Sequence, residues 1–245
     1  MRFSRRIASG ILAAMIPLFS SGVNGANAEE EPYTVEWIGE MMVVHREGDA
    51  RPRVNLPEVA RGPGSFAIGP VAGLRGEITV VDGEAFVSTA ADGTERVAQD
   101  WEYQAPFLVY GRVTKWQEVS LPENVLSISD IEKWLPDAAR ARGLNPEGPF
   151  PFKIETDDSV IRYHIIANDA PGYQTVRPHS ELQKPFTLES KKASLIGVYS
   201  TKHAGIFTHH GSTTHTHMVS GDKVHSGHVD AIELGKGSRF FLPAR

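Results

Sequence analysis

His215, His217 and His228 stand in the stretch HTHMVSGDKVHSGH with the spacing H-x-H-x10-H. Imidazole nitrogens are ligands for zinc, nickel, copper or iron, and three of them with a vacant position make a catalytic rather than a sealed site. For that chemistry the three rings must converge. Alternate residues of a strand share a face, so an extended TTHTHMV points His215 and His217 the same way. The polar, glycine-bearing SGDKVHSG can turn the chain. HVDAIEL alternates like a returning strand, which would set His228 opposite the pair. Seven of the ten histidines lie between His203 and His228, so a metal-buffering histidine tract is the competing reading. His203, His209, His210 and His225 are read as surface or packing residues.

A second chemical group lies far upstream. GLRGE (Gly73–Glu77), followed by VVDGE, sets the Glu77 carboxylate between glycines and a strand. In isolation this reads as a solvated turn glutamate; buried beside a metal it would be a ligand or a proton carrier.

The elements that position these groups are mostly strands. VEWIGEMMVV, from Val35, reads as a first strand, and residues 45–63 as a connection. From Ser65 short apolar runs are cut by glycine, with Asp82-Gly83 and Asp92-Gly93 as turn signals between antiparallel strands. PFLVYGRV, FKIET, SVIRYHIIA, PFTLES and ASLIGVYS add further strands. One helix stands out in SDIEKWLPDAARARG, with Ser129 as N-cap, Glu132 completing a capping box, Pro136 as a kink and Gly143 as the stop. The expected fold is β-rich α+β, in two parts with mixed or antiparallel sheet and few helices.

The first 28 residues form a separate unit. Arg2, Arg5 and Arg6 precede the apolar run IASGILAAMIPLF, and Ala26-Asn27-Ala28 offers a small-residue cleavage site. This is the pattern of a secretory signal peptide cleaved after Ala28, and it predicts a periplasmic or secreted protein with residues 29–245 as one domain. Ser4-Arg5-Arg6 carries a weak twin-arginine signal and does not separate the two export routes. Cleavage leaves 22 Lys and Arg against 30 Asp and Glu, a formal charge of −8, which opposes binding to nucleic acid or anionic lipid. No later stretch reads as a membrane span. There is no cysteine, so thiolate chemistry is excluded and stability must come from the core and from bound metal.

Together these stretches resemble the α-acetolactate decarboxylase family. GSFAIGPVAGLRGEITVVDGEAF (Gly64–Phe86), APFLVYGRV and HTHMVSGDKVHSGHVDAIEL carry the resemblance, with the helix at 129–143 in its usual place. The resemblance implies a two-part fold with a barrel-like half and sub-domains meeting near residues 145–150. It implies zinc, or another divalent transition metal, held by His215, His217 and His228, with Glu77 as the acidic group close to it. It also implies conversion of 2-acetolactate to acetoin and carbon dioxide. Where the family carries an arginine for the substrate carboxylate, this chain has His164, with Arg162 two residues away on the same strand. The family's glutamate near the C-terminus has no counterpart after Glu233.

Two functions follow. One is an exported metal-dependent carboxy-lyase acting on a small 2-hydroxy-3-keto acid, with Glu77, Arg162 and His164 as catalytic candidates. The other is a non-catalytic periplasmic protein that binds metal or a small molecule on the same scaffold. The expected partner is a small hydroxy-keto acid, without nucleic acid or membrane, and a homodimer is compatible with either reading.

Overall fold

The structure is a computed structural model that describes residues 31–175 and 177–244. The signal-peptide reading of residues 1–28 lies outside the described residues. The chain enters as β1 (Tyr33–Ile38). Gly39 then turns it at φ 71°, where a Cβ would strike the Pro106 carbonyl, so only glycine fits. The next segment is a helix, α1 (Met41–Glu47), with Met41 and Val44 buried. The strand expected over VEWIGEMMVV therefore stops at Ile38. The stretch read as a connection holds β2 (Val54–Asn55) and the one-turn α2 (Leu56–Val59).

Next come β3 (Ser65–Pro70), β4 (Glu77–Val81), β5 (Glu84–Thr89), β6 (Arg96–Ala98), β7 (Gln104–Ala105) and β8 (Leu108–Val113). The β4–β5 hairpin closes through Asp82 at φ 50° and Gly83 at φ 84°. Two positive φ values in a two-residue loop are what the Asp-Gly signal predicts.

The chain continues through β9 (Trp116–Val119), α3 (Ile128–Ala141), β10 (Phe150–Thr156), β11 (Val160–Ile166) and α4 (His179–Leu182). It ends with β12 (Gln183–Glu189), β13 (Ala193–Tyr199), β14 (Thr214–Ser220), β15 (Ser226–Glu233) and β16 (Arg239–Pro243).

Two large sheets result, in the orders β1-β8-β3-β4-β5-β6 and β12-β11-β15-β14-β13-β10-β16-β9, with β2 and β7 forming a small third ladder. All pairings between these strands are antiparallel. The expectation of a β-rich α+β fold with few helices holds. Phe66, Ile68 and Phe86 of the first sheet share a core with Ile196, Val198 and Val219 of the second. On the other side of the second sheet, Ile131, Leu135 and Ala139 of α3 pack with Phe152 and Phe240. With a layer on each side, all seven residues of β14 are buried. That environment decides how its histidines behave.

The start of α3 differs from expectation. Ser127, not Ser129, is the N-cap, and Asp130 completes the capping box. The Asp130 amide donates to Ser127 Oγ at 3.2 Å and the Ser127 amide to Asp130 Oδ2 at 3.1 Å. Glu132 is employed elsewhere. Its Oε1 accepts from the amides of Thr213 and Thr214 at 2.8 and 3.0 Å, and from Ser212 Oγ at 2.6 Å. It thereby ties the start of β14 to the helix. Pro136 sits within α3 without ending it. Among the described residues no helix is long and apolar enough to cross a membrane.

Candidate metal centre

The β14–β15 register places His217 directly opposite His228, and the β11–β15 register places His164 opposite His228 on the other side. Three adjacent strands thus carry one row of imidazoles, and His215 lies two residues along β14 on the same face. One nitrogen from each of His215, His217 and His228 falls within 4.8 Å of the others. The side chains are 2%, 0% and 9% exposed. Glu77 and Thr79 project from β4 of the facing sheet, while Ile78 and Val80 turn into the other core. Glu77 Oε2 lies 3.9 Å from His217 Nε2.

Burial first, and the neighbouring rings second, hold all three imidazoles neutral. The His215 pKa falls to about 3, and those of His217 and His228 fall well below the usual histidine range. Neutral imidazole is the form that ligates metal. His217 Nδ1 meets Thr79 Oγ1 at 3.1 Å, and Thr79 in turn accepts from Ser226 Oγ at 3.1 Å. A proton on Nδ1 leaves the Nε2 lone pair facing the centre, the outer-shell arrangement that fixes a ligand's tautomer.

The residues fit a divalent transition metal. His215 Nε2 and His217 Nε2 face each other at 3.1 Å, close to the roughly 3.3 Å that tetrahedral ligands about 2.0–2.1 Å from an ion would show. Two neutral acceptor nitrogens so close, in a site this buried, lack a partner that a cation would supply. His215 Nδ1 is also buried without a hydrogen bond; the Phe207 carbonyl favours a proton on that ring without making a full bond to it.

The Glu77 carboxyl is pushed up to about 7, first by burial and also by Asp230, while His164 and a hydrogen bond from the Ile166 amide pull the other way. That amide donates to Glu77 Oε1 at 3.3 Å. Beside the row lies a pocket of about 560 Å³, lined among others by His164, Gln183, His209, Thr216, His228 and Asp230. His164, 3% exposed, is held by Asp230: its Nδ1 lies 2.8 Å from Oδ1, which leaves Nε2 near the Gln183 amide at 3.4 Å. The β11–β15 ladder steps from Arg162↔Ala231 to Tyr163↔Val229, so Asp230 is the extra residue of a β-bulge, turned toward His164.

Of the residues singled out in the sequence, His215, His217, His228, Glu77 and His164 come together. Arg162 does not join them. Its side chain is 55% exposed and pairs at 3.0 Å with Glu233, itself 65% exposed, and no Arg or Lys is among the residues lining the pocket. Asp230, Thr79 and Gln183 were not anticipated. The Val-Asp step after His228 was the one local signal for Asp230. His209, read as a surface or packing residue, instead lines the pocket with its ring 5.1 Å from His228. His225 does pack, its Nδ1 donating to Glu95 Oε2 at 2.6 Å.

Solved structures share the fold, among them the following three. A Staphylococcus aureus protein of unknown function, described as similar to alpha-acetolactate decarboxylase, superposes with a TM-score of 0.63 at 13% identity, covering 85% of this chain and 84% of its own. Alpha-acetolactate decarboxylase from Bacillus subtilis strain 168 gives 0.63 at 17% identity, covering 85% and 83%. Acetolactate decarboxylase from Bacillus subtilis subspecies spizizenii gives 0.61 at 16%, covering 86% of each chain. No curated protein matches this chain. The family model for alpha-acetolactate decarboxylase matches residues 47–241, which hold both large sheets apart from β1 and the end of β16, and every residue of the histidine row. The chain therefore belongs to the alpha-acetolactate decarboxylase family.

Proposed function

We propose that the protein is an exported, zinc-dependent carboxy-lyase that removes carbon dioxide from a small 2-hydroxy-3-keto acid, with 2-acetolactate to acetoin as the named candidate. The observation that carries this reading is the buried convergence of His215, His217 and His228 with Glu77 Oε2 3.9 Å from His217 Nε2, beside a polar pocket. The three imidazoles would hold the ion, which when bound supplies Lewis-acid polarisation of substrate oxygens.

The chain's own groups do the rest. Loss of carbon dioxide breaks the C1–C2 bond and leaves C2 needing a proton. Glu77 is placed to hold that proton on its carboxyl group and deliver it to one face. Asp230 keeps the His164 Nδ1 proton engaged, so that Nε2 and the Gln183 amide orient the substrate's oxygens. Mixing the purified zinc-loaded protein with racemic acetolactate tests this: acetoin should form, and none above the metal-free control would overturn the named reaction. Export is tested by N-terminal sequencing of the protein from its native host, with Glu29 expected as the first residue.

The second reading is a non-catalytic binding protein on the same scaffold. The pairing of Arg162 with Glu233, outside the pocket, favours it. Saturable calorimetric binding of acetolactate with no acetoin released would establish that reading instead.

A further inference from the structure

Four more histidines extend the metal centre toward the surface. His45 on α1 and His179 at the start of α4 come from segments 134 positions apart, yet their ring centroids are 4.1 Å apart. His45 lies 6.3 Å from His209 with the rings near parallel, and His209 lies 5.1 Å from His228. A second branch runs from His179 to His164 at 6.3 Å and on to His228 at 4.7 Å. Seven of the chain's ten histidines thus form one array with no break wider than 6.3 Å between neighbours.

Exposure falls along the array. His45 is exposed, His179 and His209 are half-buried, and His228, His215 and His217 are buried. The outer pair lines its own pocket of about 490 Å³, separate from the one beside the metal centre. His179 Nδ1 is buried without a hydrogen-bond partner. A packing histidine would have its ring nitrogens satisfied by the fold; this one is left available.

We propose that His45 and His179 form an outer docking point for a divalent transition-metal ion, and that His209 passes the ion inward to His215, His217 and His228. The chemistry is borderline-soft cation on neutral imidazole. Two nitrogens hold an ion weakly enough to release it, and three hold it in place. A docked ion raises the concentration met by the buried centre without altering that centre's affinity. This inference rests on the three-histidine metal reading.

The test is the rate at which the purified metal-free protein takes up cobalt(II), followed by the visible absorption of the bound ion. H45A/H179A should load about tenfold or more slowly than the unaltered protein, in line with loss of a local-concentration effect. Its final absorbance and cobalt content should be unchanged. H45Q alone, at an exposed position, should slow loading in the same direction and guards against misfolding of the double variant. Equal loading rates in all three proteins would overturn the docking role and leave the buried centre intact. No cobalt uptake by the unaltered protein would overturn both.

Discussion

The wall that would face the ion is built from β4 and the β14–β15 hairpin, with paired ladders, and its Glu77, Thr79, His215, His217 and His228 are at most 9% exposed. The wall that faces the pocket is built from His164 of β11 with the bulge of its partner strand, Gln183 at the start of β12, the start of α3 and the loop that carries His209. The first wall fixes nitrogen positions, which a metal requires to within tenths of an ångström. The second supplies hydrogen-bonding groups on irregular backbone, where sequence can vary without dismantling the ladder. A chain that kept the first wall and altered the second would keep a cradle for an ion while changing what it acts on.

Substitutions sharpen that contrast. The largest effect is expected for H217A, which removes the most buried ligand: metal titration should show at least a hundredfold loss of affinity, about the top of the range for outer-shell partners alone. T79V keeps the ligands and removes the group that orients His217, so affinity should fall about 10–100-fold. D230N acts on the other wall. Turnover should drop about tenfold through loss of His164 orientation, with metal content unchanged; a fall in metal content would erase the distinction between the walls.

A further effect concerns pH. Burial lowers His179 to about 3 in the folded protein, below the unfolded histidine value of about 6.5. The unfolded chain therefore binds the extra proton. Stability is fully present above about pH 6.5 and is lost as pH falls from there toward the folded value. Urea melts of the metal-free protein at pH 7 and pH 5 should show this loss, and H179Q should reduce the slope. R162A is expected to do least: a surface pair contributes about 0–1 kcal/mol, and acetoin formation should stay within about twofold.

Much of the ion-facing wall was legible in the sequence because its geometry is local. A two-residue period places His215 and His217 together, a short polar turn returns His228, and Asp82-Gly83 marks the hairpin that follows Glu77. The pocket-facing wall was not legible, because its features depend on contacts between distant segments. One extra residue in β15 turns Asp230 toward His164, and no periodicity signals it. His45 and His179 meet only through tertiary packing. Ser127 rather than Ser129 caps α3 because Glu132 is drawn to the amides before β14. Arg162 and His164 sit two apart on one strand, yet Glu233 draws Arg162 to the surface.

Zinc K-edge X-ray absorption of the purified, zinc-loaded protein tests the three-histidine centre most directly. Expected are three imidazole nitrogens about 2.0–2.1 Å from the ion with at least one oxygen beside them, and loss of that imidazole signature in H215A/H217A. A shell of oxygens alone, or four nitrogens with no oxygen, would contradict an open catalytic site at His215, His217 and His228.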